Sequence, residues 1–157
     1  MHPSTQKVAE AAQELGLAIE VKEFAQTTRT AQEAADAIGC ELAQIVKSLC
    51  FTVNDAPIMA LVSGENQLDE RKLAALCNVG RKKVKQATAD AVKAATGFSI
   101  GGVPPFGHIT PMTIFIDEDL LQFETVWAAA GTPFTVFAIA PDDLVNGSGG
   151  TAVNLKK

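Results

Sequence analysis

The chain has 157 residues, of which 47% are hydrophobic and 20% charged, with a formal net charge of −5. That is enough chain for one domain, 1–157, with a core that needs no staples, and no apolar run reaches the roughly 18 residues a membrane span requires. Cys40, Cys50 and Cys77 are odd in number and widely spaced, which excludes a disulfide framework or a thiol-ligated zinc site and leaves buried reduced thiols as the expectation.

Met1–Lys7 carries no hydrophobic signal core, so the expected compartment is the cytoplasm, and His2 is expected to fray with the terminus. Val8, Ala11, Ala12 and Leu15 recur at helical spacing and Gly16 ends the pattern, predicting a helix over 4–15. Ile19, Val21 and Phe24 suggest a strand. Thr30-Ala31-Gln32-Glu33 reads as a capping box opening a helix over 31–38, with Gly39 as its stop. After a turn at 41–44, the apolar runs 45–53 and 58–62 flank Asn54-Asp55-Ala56-Pro57 and read as a β-hairpin.

Asp69 can cap a third helix reaching about Cys77, with Leu68 and Leu73 stapling its entry. A short strand over 82–85 and a fourth helix over 88–96, closed by Gly97, follow. The runs 113–116, 125–127 and 134–139 are β-branched and aromatic, so the last half is strand-rich. Asp117-Glu118-Asp119 reads as a strand-ending turn, and 146–150, Asn-Gly-Ser-Gly-Gly, as a loop without the Lys and Ser/Thr of a phosphate fingerprint. Helices and strands interleave without the regular alternation of a doubly wound sheet. The expected fold class is therefore α+β, with a mixed, mainly antiparallel, barrel-like sheet and surrounding helices.

Chemistry concentrates in two places. Gly101-Gly102-Val103-Pro104-Pro105-Phe106-Gly107 combines glycines, which let backbone approach a ligand, with prolines that stiffen the loop, so it offers main-chain donors rather than side chains. Lys47 lies in the apolar segment Gln44-Ile45-Val46-Lys47-Ser48-Leu49, where a charge is costly without a partner or a task. Two readings of Lys47 compete: its stem lies along the core while the ammonium reaches water, or it meets an anionic or carbonyl-bearing ligand. Thr28, Arg29 and Thr30 are cap and turn residues or an anion contact at a helix start; His108 reads as a loop residue and Trp127 as core. With only two histidines and no ligand-spaced carboxylates, neither a His-based triad nor a metal is expected, and no cofactor. Such a site suits a labile carbonyl substrate held by positioning and oxyanion stabilisation.

The charge is segregated. Residues 71–85 hold six basic side chains and no acid, leaving seven basic against 18 acidic residues elsewhere. This stretch, with Arg81, Lys82 and Lys83 at its centre, is either a surface that guides a polyanion or a solvated helix end and strand.

Taken in order, Ala31-Gln32-Glu33-Ala34-Ala35 with Ile38-Gly39, Gln44 to Leu49, Leu68 to Leu73, Thr96-Gly97-Phe98, Gly101 to Gly107, Ile116-Asp117, Ala130-Gly131 and Pro141 to Leu144 resemble the YbaK/ProX family of aminoacyl-tRNA deacylases. That family is related to the editing domain inserted in bacterial prolyl-tRNA synthetases. The resemblance implies a barrel-like α/β fold and a trans-editing hydrolase that cleaves the ester of a mischarged tRNA, proline tRNA carrying a small wrong residue such as Ala, Cys or Ser. It implies that Lys47 holds the tRNA 3′ end and is needed for deacylation, and that Gly101 works with it. Gly102, Val103, Pro104, Pro105, Gly131 and Thr30 would shape the substrate pocket. Mischarged tRNA is the implied partner, with a prolyl-tRNA synthetase beside it and no membrane. The segment Ala128-Ala129-Ala130-Gly131-Thr132-Pro133-Phe134 departs from the Gly-Arg/Lys-rich version of the cysteine-specific branch. A non-catalytic module that binds tRNA or an aminoacyl compound, and an ester or amide hydrolase unrelated to RNA, are the alternatives.

Overall fold

The computed structural model describes residues 1–157. Helix α1 (Pro3–Glu14) starts on His2, whose imidazole Nδ1 accepts from the Ser4 N–H at 3.0 Å. His2 is therefore a cap rather than a frayed end, because a ring nitrogen can satisfy an orphan helix donor as a hydroxyl would. Strand β1 (Glu20–Glu23) leads to α2 (Ala31–Ile38), and here the capping box forms as read: Thr30 Oγ1 accepts from Glu33 N at 3.1 Å while Thr30 N donates to Glu33 Oε1 at 3.2 Å.

Strands β2 (Val46–Val53) and β3 (Ala56–Ser63) form the expected hairpin, but its turn is tighter than the sequence suggested. Asn54 and Asp55 take φ of 50° and 67°, so the two of them make the whole loop and Pro57 sits inside β3 opposite Thr52. Helix α3 (Glu70–Leu76) is capped by Asp69, which accepts from Arg71 N at 2.9 Å. Residues Arg81–Lys83 wind into a 3₁₀ turn, so β4 (Val84–Gln86) begins later than expected, and α4 (Ala89–Thr96) follows on a Thr88 cap.

After the Gly/Pro loop come β5 (Thr113–Asp117), β6 (Val126–Ala129) and β7 (Thr135–Ile139). The chain then departs from the sequence reading. Residues 146–148 are not loop: they complete α5 (Pro141–Ser148), which Gly149 ends at φ 70°, and β8 (Thr151–Val153) follows. Asn, Gly and Ser are poor helix formers, but the fully buried Leu144 and a Pro-Asp-Asp start hold this helix from its first turn.

The strands form two sheets, β1-β7-β6, antiparallel throughout, and β4-β2-β3-β5-β8, in which β3, β5 and β8 run parallel. The class is α+β with mixed sheets. The strand ladders do not close into a barrel; one parallel bridge between Ile45 and Trp127 ties the sheets together. Met59, Leu61, Ile116 and Phe137 belong to the larger core cluster, while Ala60, Val62 and Ile58 meet Leu73 and Leu155 on the other face of β3. Burial on both faces is why β3 reads as a continuous apolar run.

Candidate functional site

The site exists because β2 is only partly paired on one side. Strand β4 covers Phe51–Val53, Ala87 N adds a bond to Cys50 O at 3.1 Å, and the Ile45–Trp127 bridge closes the other end. Residues 46–49 between these attachments have no strand against that edge, and a cavity of about 370 Å³ opens there. Its walls come from the segment entering α2 (Thr28 to Ala31), the end of β4, α4 through Val92, the Gly/Pro loop through Ile100, Gly101 and Val103, and β6 through Trp127 to Ala129. The lining is mainly apolar, as ligand sites usually are, with a few polar groups to orient what binds.

Lys47, Thr30, Gly101 and Val103, distant in sequence, meet around this cavity. Lys47 is half-buried and its Nζ donates to the Asn66 carbonyl oxygen. Burial pushes its pKa below the ordinary lysine value, opposed by the Asp117 carboxylate. Thr30 lines the cavity, yet its hydroxyl oxygen is engaged by the capping box. The same cap explains Glu33: hydrogen bonds from Thr27 and Thr30 hold its carboxyl below the usual range.

The rest of the loop supports the wall rather than forming it. Gly131 N donates to Gly102 O at 2.9 Å, and a Cβ on Gly102 would sit 2.7 Å from the Gly131 carbonyl carbon, so these glycines let two backbone segments touch. Pro104 and Pro105 are buried and do not line the cavity. The Pro104 carbonyl is held by His108 Nε2 at 2.6 Å; since a carbonyl only accepts, that nitrogen carries the proton. Burial pushes the His108 pKa below its ordinary value. His108 is thus a staple of the loop.

Arg29 was left open from sequence as turn residue or anion contact, and three further features were not assigned to the site. Arg29 lines the cavity without an ion pair, its stem packed over Gly101, where a Cβ would lie 2.9 Å from Arg29 Cγ. Ser48 Oγ is buried in the wall with no hydrogen-bond partner. Trp127, read as core, lines the cavity and carries the Lys22 ammonium 5.1 Å from its ring centroid. Asn66, behind Lys47, comes from a turn with no motif. Only Arg29 had a legible signal, its place beside the capping box.

Of the basic stretch, Arg81 is committed: it pairs with Glu70 and donates to Val84 O at 3.1 Å. Lys82 and Lys83 are exposed and form no salt bridge. The fold enlarges this patch from the far end of the chain, because Lys72 Nζ bonds Asn154 Oδ1 at 3.1 Å and the Lys156 carbonyl, while Lys157 lies beside Arg71 and Arg81. Strand β4 starts after Lys83 and ends at Gln86 in the cavity wall. No three His, Cys, Asp or Glu side chains converge as a metal site, the cysteines are unbridged, and no helix is long and apolar enough to cross a membrane.

A two-sheet α+β domain whose apolar cavity is lined by Lys47 and Arg29, with strand β4 leading from its wall to a basic surface, is a class of small-ligand site suited to an anionic or carbonyl-bearing group. Residues 25–146 match the aminoacyl-tRNA editing domain, and the chain belongs to that family. It is similar to a solved structure described as a candidate trans-editing enzyme for prolyl tRNA synthetase, at TM-score 0.93 and 43% identity, over 100% of this chain and 99% of the other. It is 31% identical over 126 residues to the uncharacterized protein YwhH of Bacillus subtilis, covering 80% of this chain and 78% of YwhH. It is also 38% identical over 100 residues to a proline–tRNA ligase of Maridesulfovibrio salexigens, a match that takes 64% of this chain and only 17% of the ligase.

Proposed function

We propose that residues 1–157 act as one trans-editing domain, an aminoacyl-tRNA deacylase that hydrolyses the ester of a mischarged tRNA in the cytoplasm. The favoured substrate is proline tRNA carrying a small wrong amino acid such as Ala, Cys or Ser. The observation that carries this reading is the cavity itself: about 370 Å³, apolar, entered by a half-buried lysine and bordered by a positive-φ glycine. Membership of the editing family and likeness to a candidate trans-editing enzyme over its whole length support this substrate class.

In this reading Lys47 and Arg29 hold the 3′-terminal nucleotide, and the Gly101 loop presents backbone to the ester carbonyl. Gly102, Pro104, Pro105 and Gly131 keep that loop in place, and Val103 and Thr30 bound the aminoacyl group. Lys82 and Lys83 give weak, salt-sensitive affinity for the tRNA backbone. An aminoacyl ester is reactive enough that orientation and charge stabilisation of an attacking water carry the chemistry. The partner is mischarged tRNA, with a prolyl-tRNA synthetase as the source of the errors.

One observation favours the alternative of a non-catalytic binding module: no imidazole, and no pair of carboxylates, lines the cavity. Incubation with a panel of alanyl-, cysteinyl- and seryl-tRNAs decides between them. Release of at least one amino acid well above the spontaneous rate supports the deacylase; tight, salt-dependent tRNA binding with no release of any would replace it by the module.

A further inference from the structure

The Lys47 ammonium does not hang free in the cavity. Its acceptor, the Asn66 carbonyl, belongs to a residue fastened at three points: Asn66 N donates to Ser63 O at 2.9 Å, and Asn66 Nδ2 donates to Asp117 Oδ2 at 2.8 Å and to Asp119 Oδ2 at 2.9 Å. Asp117 is only 1% exposed, at the end of the apolar strand β5, and its carboxylate also takes Ser63 N at 3.0 Å and Asp119 N at 3.0 Å. Lys156 Nζ closes the outer side on Asp119 Oδ2 at 2.8 Å.

A buried carboxylate is costly to desolvate, and the bonds it accepts from Ser63 N, Asn66 Nδ2 and Asp119 N offset that cost and lock the Asn66 turn onto the end of β5. Two ammonium groups lie within its field: the exposed Lys156, which is held by Asp119, and the half-buried Lys47, to which Asp117 is joined through Asn66. The other charged groups around Lys47 do not substitute for Asp117. Arg29 is a like charge across the cavity, Asp119 is engaged by Lys156, and Glu65 is exposed to solvent.

We propose that Asn66 and Asp117 are positioning residues for Lys47: the clamped Asn66 carbonyl takes one of its three donors and leaves the other two for a ligand, while Asp117 holds Asn66 in place through its side-chain amide. This rests on the assignment of Lys47 to a deacylation site. It goes beyond that reading in naming what holds the lysine in its working geometry. The burial that lowers the Lys47 pKa is countered by Asp117, so loss of the carboxylate should lower it further.

The test uses Asn66→Ala, which keeps the carbonyl but removes both side-chain tethers, and Asp117→Asn, each alone and combined with Lys47→Ala. Single-turnover deacylation should fall about 10-fold in either single variant, yet by less than about 2-fold when Lys47 is already Ala, because a residue acting through Lys47 has nothing left to act on. Independently of activity, the Lys47 13Cε resonance, assigned with Lys47→Arg, should titrate at lower pH in Asp117→Asn. In Asn66→Ala its relaxation should become that of a mobile side chain. Equal losses with and without Lys47, or an unchanged Lys47 titration and mobility in folded variants, would overturn the proposal. If Asp117→Asn does not fold, Asn66→Ala alone decides, through both readouts. If the wild-type protein cleaves no ester while Lys47 responds as expected, the deacylase reading fails and the positioning stands.

Discussion

Gly101→Ala separates a role in the cavity from a role in the fold. Gly101 has φ 96°, and an added Cβ would lie 2.9 Å from Arg29 Cγ and 3.2 Å from its Nε. The backbone strain costs about 1–2 kcal/mol, but the clash is with a flexible side chain, so Arg29 should swing away rather than the backbone shift. For a domain of this length that corresponds to a fall in Tm of roughly 2–8 °C. Gly131→Ala is the control: its φ is also 96°, but its Cβ would meet the Ser4 carbonyl oxygen at 2.6 Å, so α1 itself must move and the stability loss should be clearly larger. Gly101→Ala should lose activity out of proportion to its stability loss, whereas in Gly131→Ala the two should fall together, because Gly131 N holds Gly102 O. A methyl group at the cavity rim together with a displaced Arg29 should cut single-turnover hydrolysis about 10-fold or more, the equivalent of about 1.4 kcal/mol in the barrier. Val103→Ala should reduce turnover less, its cost falling on the core cluster in which Val103 is buried. Urea melts paired with single-turnover assays on alanyl-, cysteinyl- and seryl-tRNA measure both quantities. A Gly101→Ala protein with wild-type rate and selectivity, or one as unstable as Gly131→Ala, would refute this account of the loop.

Lys47→Met keeps the apolar stem and removes the ammonium, so deacylation should drop at least about 10-fold while the melting temperature stays at or above that of the wild type, a penalised half-buried charge having been removed. The pKa of Lys47 is lowered, so activity that needs the ammonium should decline at a pH below the ordinary lysine range. The stability contribution of this group rises over the same window, up to the unfolded value, because there the unfolded chain binds the proton that the folded one has lost; opposite slopes in pH–rate and pH–melting curves check this. Burial lowers the His108 pKa in the same sense, so the protein should lose stability as pH falls from about 6.5 through the folded value, and a His108→Asn variant should show a flatter urea-midpoint profile there. Lys82→Glu with Lys83→Glu should weaken tRNA binding and flatten its salt dependence without changing the hydrolysis of bound ester, whereas Arg81→Glu should also destabilise the fold through loss of the Glu70 pair. Unchanged salt slopes would reduce the patch to solvated surface.

What sequence alone could reach was governed by short-range rules. The Thr30–Glu33 capping box, the Asp69 cap, the Gly39 and Gly97 stops and the β2–β3 hairpin were legible because each depends on residues a few positions apart. Lys47 stood out because a charge among Ile, Val and Leu is costly enough to show in the pattern. Tertiary structure decided the rest. That β4 stops short and leaves 46–49 open is a fact of pairing length, which no local pattern encodes. The last turn of α5 was hidden in the Asn-Gly-Ser-Gly-Gly stretch, and β8 just after it, because long-range burial of Leu144 and pairing with β5 override weak propensity. The partners of the site are likewise remote in sequence: Asn66 and Asp117 behind Lys47, Arg29 over Gly101, the Lys156 carbonyl on Lys72 and Lys157 beside Arg71. Local sequence encodes which backbone conformation is cheap, but which charge meets which carbonyl is set only when strands far apart in the chain come to lie side by side.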